Sequence, residues 1–261
     1  ADVYNGIGNI FQDYLKLPDS AKAYYQKTLS IDPESTYAYY NIGTLFYKQN
    51  QYDSARIYYF KALSIDPNYT YSYNALGNTF KKPGENDSAI RYYDKALSID
   101  PEFTDAYYNI GLIYNNQKQY DSAKRWYRKA INIDPDYISA YNGLGITFRN
   151  ENQYDSARWY YNKAISIDPK VADTYINIGL LFYYQKQYDS ANFYYRKAVS
   201  IDPDNTNAFN NLGLLFDNQN QYDSAAMYFR KIFQIDPKYT NAYNNLGLLF
   251  YNQKQYDSAA T

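Results

Sequence analysis

The stretch from Thr36 to Tyr69, TYAYYNIGTLFYKQNQYDSARIYYFKALSIDPNY, decides the fold, because the chain repeats it. Its Asp66-Pro67 pair recurs as Asp32-Pro33, Asp100-Pro101, Asp134-Pro135, Asp168-Pro169, Asp202-Pro203 and Asp236-Pro237, each 34 residues from the next. A period of this length marks a chain that stacks copies of one supersecondary unit. The register divides the 261 residues into seven repeats and a partial eighth: 1–35, 36–69, 70–103, 104–137, 138–171, 172–205, 206–239 and 240–261.

Within the unit, Tyr39, Ile42-Gly43 and Phe46 fall along one helical face, and Ala55, Tyr59 and Ala62 along that of a second helix. Gly43 and Ala55 lack the bulk that would hold two helices apart, and Tyr59 is placed to fill the space beside them. Pro67 has no amide donor and disfavours helix at Asp66, so the second helix ends there. A single helical hairpin cannot bury its apolar stripe, whereas a stack of hairpins can. The expectation is therefore all-α, with paired antiparallel helices throughout residues 1–261 as one solenoid domain. Two turns depart from the pattern: the first repeat has one extra residue in Asp13–Pro18, and the third carries Pro83-Gly84-Glu85-Asn86. Turn insertions cost little, so a local bend is expected at each and no break.

The spacing resembles the tetratricopeptide repeat signature, an aromatic, Leu-Gly and an aromatic, followed by Ala, an aromatic and Pro. The fourth repeat shows it as Tyr107, Ile110-Gly111, Tyr114, Ala123, Tyr127, Ala130 and Pro135. The resemblance covers essentially the whole chain. It implies a right-handed α-solenoid, or superhelix, and a scaffold for protein–protein interaction whose concave groove is lined by the first helix of each repeat.

Composition narrows the chemistry. Lys plus Arg number 26 against 27 Asp plus Glu, a net charge of -1, and no basic run reads as a phosphate track for nucleic acid. No apolar stretch reaches about 18 residues, so no membrane span is expected. His and Cys are both absent, which removes the near-neutral acid–base group, the thiolate nucleophile and the usual metal ligands together. The repeated carboxylates have turn and helix-end explanations, and no glycine-rich phosphate loop occurs. No enzyme activity, catalytic residue, metal or cofactor is expected. The 38 Tyr residues can bury ring area while their hydroxyls reach polar partners.

Two residue sets are candidate sites. On the first helices, Asn41, Lys48, Asn74, Asn78, Lys82, Asn109, Asn177, Asn211 and Asn245 match groove positions. Asn offers both donors and acceptors, so such a row can grip the backbone of an extended peptide; equally, it can bond neighbouring backbone and stabilise the stack. On the second helices the tripeptide Asp-Ser-Ala appears in every copy, with Ser20, Ser54, Ser88, Ser122, Ser156, Ser190, Ser224 and Ser258. The Asp suits the positive end of a helix and the Ala packs inward. The Ser has no packing role, yet it is constant while the residue after the Ala varies. Asp-Ser followed by a small residue resembles the acceptor sequence of a bacterial general O-glycosylation system acting on exported proteins. Recent duplication plus a Ser suited to a helix's first turn is the competing account. Lys27, Lys61, Lys95, Lys129, Lys163, Lys197 and Lys231 recur late in the second helix, where the helix dipole is expected to favour them.

Two functions follow. In the first, the chain is part of an exported, O-glycosylated structural protein, secreted, periplasmic or at the cell surface, whose solenoid assembles end to end into a fibre or layer. In the second, it is an adaptor holding a partner peptide or helix in the groove, a reading equally compatible with the cytoplasm. Ala1 in place of Met, and Asp257–Thr261 stopping inside an expected helix, read as a piece of a longer chain.

Overall fold

In the structure, a computed structural model describing residues 1–80 and 84–252, fifteen α-helices account for the regular structure, and no strand occurs among the described residues. The chain forms two compact units, Ala1–Pro135 and Asp136–Thr261. The first holds α1 (Asp2–Asp13), α2 (Pro18–Ile31), α3 (Thr36–Lys48), α4 (Tyr52–Ile65), α5 (Thr70–Asn78), α6 (Asn86–Ile99), α7 (Thr104–Asn116) and α8 (Tyr120–Ile133). The second holds α9 (Ile138–Asn150), α10 (Tyr154–Ile167), α11 (Ala172–Tyr184), α12 (Tyr188–Ile201), α13 (Thr206–Asn218), α14 (Tyr222–Ile235) and α15 (Thr240–Asn252). Inside each unit an odd-numbered helix pairs with the even-numbered helix after it, and the pair stacks on the next.

The core of each pair is small residues facing a ring. Ala21, Ala55, Ala89, Ala123, Ala157, Ala191 and Ala225 are fully buried, as are Tyr25, Tyr59, Tyr127 and Tyr161 to within one per cent. The ring of Tyr59 lies against Gly43 so closely that a Cβ there would stand 2.6 Å from Cε1. Tyr127 meets Gly111 in the same way, at 2.7 Å. The close approach read from Gly43, Ala55 and Tyr59 is thus what joins the two helices.

Turn chemistry explains the repeat boundaries. Asp66 leaves the helix in an extended conformation, and its carboxylate accepts the amide of Asn68 at 2.9 Å, bridging the proline. Asp32, Asp100, Asp168, Asp202 and Asp236 make the equivalent bond. The turn inside the pair is a Schellman closure: Gln51 N–H donates to Phe46 at 2.9 Å, Asn50 N–H donates to Tyr47, and Asn50 takes φ 59°. Lys118, Asn152, Lys186 and Asn220 adopt the same left-handed conformation.

The two unusual turns leave their helix pairs packed. In the first repeat, Leu17 N–H returns to Phe11 and Pro18 opens α2, where its missing amide costs nothing. In the third, α5 stops at Asn78, four residues short of its counterparts, with the Thr79 hydroxyl bonded to the Leu76 carbonyl at 2.7 Å. Lys81, Lys82 and Pro83 lie outside the described residues.

Gly111→Ala should lower stability by about 1–3 kcal/mol, because the new methyl overlaps a ring with nowhere to go. Gly6→Ala, where nothing lies within 4 Å of the added Cβ, should raise it by about 0.5–1 kcal/mol through helix propensity alone. Urea unfolding of the two variants checks both signs.

Candidate functional site

The first helices of each unit present a row of amides. Asn41 donates to Asn5 and Asn9 at 3.0 and 3.1 Å, Asn109 to Asn74 at 2.9 Å, and Asn245 to Asn210 at 2.8 Å. In each case the acceptor belongs to the preceding repeat and is a side chain, whereas the stacking account from sequence had called for backbone. Asn177 and Asn211 are half-buried and have no hydrogen-bond partner among the described residues. Asn78 accepts the Tyr93 hydroxyl at 2.7 Å, and Lys48 pairs with Asp13 at 3.4 Å in an exposed position worth little. Lys82 lies outside the described residues.

In the first unit this face opens into a cleft of about 490 Å³. Asn78, Tyr93, Asn109, Leu112, Ile113 and Asn116 line it, together with Tyr47 and Phe80. Its walls mix apolar surface with uncharged amide and phenol groups, a composition suited to an extended or helical peptide.

The buried tyrosines of the second helices reach this face from behind. Each ring crosses its glycine and delivers a hydroxyl next to the residue that follows the glycine. Tyr25 finds Asn9 at 2.8 Å, Tyr59 finds Thr44 at 3.5 Å and Tyr93 finds Asn78. From the fourth repeat the following residue is Leu112, Ile146 or Leu180, and Tyr127, Tyr161 and Tyr195 have no hydroxyl partner among the described residues. In the seventh repeat Leu214 faces Phe229, which has no hydroxyl to satisfy. Burial raises the phenol pKa of Tyr59, Tyr127, Tyr161 and Tyr195 well above its ordinary value, so these groups are neutral donors. These hydroxyls were missed in the sequence. Aligning the repeats and noting the change from Asn or Thr to Leu or Ile after the glycine would have found them.

On the second helices, Ser20, Ser54, Ser88, Ser122, Ser156, Ser190 and Ser224 are all half-buried between an exposed Asp and a buried Ala. Ser258 lies outside the described residues. Each sits at the third helical position and makes no capping bond. Ser88 accepts from Arg91, and the other six have no hydrogen-bond partner among the described residues. Ser54 lines a separate cleft of about 360 Å³ with Asn50, Asp53, Arg56, Thr79 and Glu85.

The recurring lysines do not act through the helix end. The last turns of these helices contain no basic residue. Instead, Lys27 lies over Tyr4, Lys61 over Tyr39 and Tyr58, Lys95 over Tyr73, Lys129 over Tyr107 and Trp126, and Lys163 over Trp159. Lys129 comes to 4.2 Å from the Trp126 centroid. A cation at this distance is held by the ring's quadrupole.

Comparison with known families places repeat models across nearly the whole chain. Models described as "Tetratricopeptide repeat" match residues 1–35, 36–69, 104–137, 126–158, 172–205 and 194–226, and one described as "TPR repeat" matches 78–118. Among solved structures, a tetratricopeptide repeat protein from Parabacteroides merdae is 21% identical with a TM-score of 0.74, over 95% of this chain and 98% of that one. Yeast Tom70 is 19% identical with a TM-score of 0.76, over 94% of this chain and 54% of its own. PilF of Pseudomonas aeruginosa is 22% identical with a TM-score of 0.59, over 80% and 96%. These identities speak for the fold. A comparison with curated protein sequences found no match.

Two tyrosine substitutions separate tied from untied hydroxyls. Tyr93→Phe should cost about 1 kcal/mol, since it strips the bond to Asn78, while Tyr161→Phe should cost nothing or stabilise slightly. Thermal unfolding of the two variants in parallel gives the comparison.

Proposed function

Because the chain belongs to the tetratricopeptide repeat family, we propose that it is a non-enzymatic scaffold holding a segment of a partner protein on its first-helix face. The observation carrying this reading is the cleft among α3, α5, α6 and α7, with apolar walls at Leu112 and Ile113 and, at Asn116, an amide with no side-chain partner among the described residues. The amides of a peptide can bond to Asn side chains while its apolar residues settle against Leu112 and the rings. No charged side chain is among the described lining residues, so partner selection there rests on shape and hydrogen bonding, and binding should depend weakly on salt.

Leu112 and Asn116 are both exposed, so Leu112→Lys with Asn116→Lys should leave unfolding within about 0.5 kcal/mol of the parent. Protein captured from the native source by the parent chain should be lost by this double variant. Equal capture by both would overturn the cleft as the binding surface.

A second reading concerns the serine ridge. Seven described serines in one register, six of them with no side-chain hydrogen bond among the described residues, support covalent modification over a structural role for the hydroxyl. An exported chain with O-linked sugars on this ridge, assembling with copies of itself, fits that pattern. Glycopeptide mass spectrometry on native protein should find sugar masses on Ser54, Ser122 and their equivalents, and bare serines throughout would remove this reading.

A further inference from the structure

One position of the second helix changes character between the two units. It is the sixth residue of the helix, one turn after the constant Ser, and in the first unit it is Ala23, Ile57, Arg91 and Arg125. In the second unit it is Trp159, Phe193 and Met227, large and apolar in three repeats running. All three side chains are exposed, at 53%, 63% and 55%. The two rings are propped by the tyrosines beside them, Trp159 edge-on to Tyr160 at 4.8 Å and Phe193 edge-on to Tyr194 at 5.2 Å. The Arg196 guanidinium of α12 donates to the Tyr228 hydroxyl of α14 at 3.0 Å, so these two helices stand side by side with Phe193 and Met227 at the same level. The outcome is an apolar stripe across the exposed face of the second helices. Large apolar side chains gathered in this way mark a surface that takes a partner.

Charge selects the partner. On each helix the apolar residue lies between an acid four residues before it and a base four residues after it: Asp189, Phe193 and Lys197 on α12, and Asp223, Met227 and Lys231 on α14. Residues at this spacing share one helical face. These four charged groups are exposed and have no ion-pair partner among the described residues. On α10 the same order is already engaged, Asp155 with Arg158 and Lys163 over the Trp159 ring. The face is therefore banded, acid then apolar then base, with each band running across the helices. Two kinds of two-fold axis can lie in the plane of such a face. An axis along the helices sets acid on acid. An axis along the bands reverses the helix direction of the second copy and sets acid on base and apolar on apolar. In the first unit the acids and bases recur, but Arg91 and Arg125 occupy the middle band, where each would meet its own copy.

We propose that the unmodified chain pairs with a second copy of itself through this stripe, with α12 and α14 antiparallel to their counterparts. Asp189 then faces Lys197 of the second copy and Asp223 faces its Lys231, with the reverse pairs completing four ion pairs around an apolar seam. The pairing uses the second-helix face and depends neither on a groove partner nor on modified serines. Ser190 and Ser224 lie one turn before Phe193 and Met227, so sugars on them would exclude it.

Sedimentation equilibrium of the full chain, produced without glycosylation, should show monomer and dimer in exchange, with pairing weakened by salt as the ion pairs are screened. Phe193→Lys should raise the dissociation constant about tenfold or more, while urea unfolding stays unchanged because the ring is exposed. Charge exchange tests the register. A chain with Lys197→Glu and Lys231→Glu should not pair with itself, nor should one with Asp189→Lys and Asp223→Lys, whereas an equimolar mixture of the two should pair. A parent chain monomeric up to about 1 mM would overturn the proposal and leave the stripe to a different protein. Pairing that survives Phe193→Lys, self-pairing of either exchanged chain, or a mixture that stays monomeric would overturn it as well.

Discussion

At seven places among the described residues a ring from the second helix of a pair lies where a glycine of the first helix has no side chain. The nearest ring carbon would be 2.3 to 2.7 Å from an added Cβ, well inside contact distance. The two backbones therefore meet at one separation, set by the thickness of an aromatic ring. An alanine with no exposed surface backs the ring in every described repeat. Interiors packed this closely do not absorb an extra methyl without moving something. The spacing of the pair, the burial of its apolar stripe and the presentation of the next pair all follow from this contact.

The same contact shapes the functional face. A tyrosine ring that crosses its glycine carries a hydroxyl to the far side of the first helix. The residue after the glycine then decides what the hydroxyl does. Asn9, Thr44 and Asn78 tie it down; Ile146 and Leu180 leave it a donor. A single side chain thus changes the recognition chemistry of a repeat while its backbone stays the same. Repetition supplies the frame, and small departures from it supply local character. Arg149 is such a departure, occupying the register held by Tyr47 in the second repeat and Tyr183 in the sixth.

Outside the pair contact, the structure replaces one physical account with another at one recurrent position. Five of the seven lysines expected to answer the helix dipole lie over aromatic rings, because the dipole's field is confined to the last turn and these residues stand before it. The serines read as suited to a helix's first turn do sit there, at the third helical position, as Ser54 does in α4. The lysine difference leaves the fold unchanged. It changes what is asked of the surface, since a lysine folded onto a ring is less free to meet a partner.

The sequence by itself determined the pairing of helices, the helix end ahead of each Asp-Pro proline and the glycine-to-ring contact. These depend on short-range causes: apolar spacing along a helix, the missing amide of Pro67, the missing side chain of Gly43. A 34-residue period makes each cause legible several times over. Only the tertiary structure decided which polar groups are spent and which are left over. Asn41 bonds 36 residues back to Asn5, Tyr93 bonds 15 residues back to Asn78, and Arg149 meets no carboxylate at all among the described residues. Hydrogen bonds fade within an ångström or so of their optimum, and distances between such remote residues are set by how the repeats stack. For that reason the scaffold could be read from its residues, while the chemistry of its first-helix face emerged only from their packing.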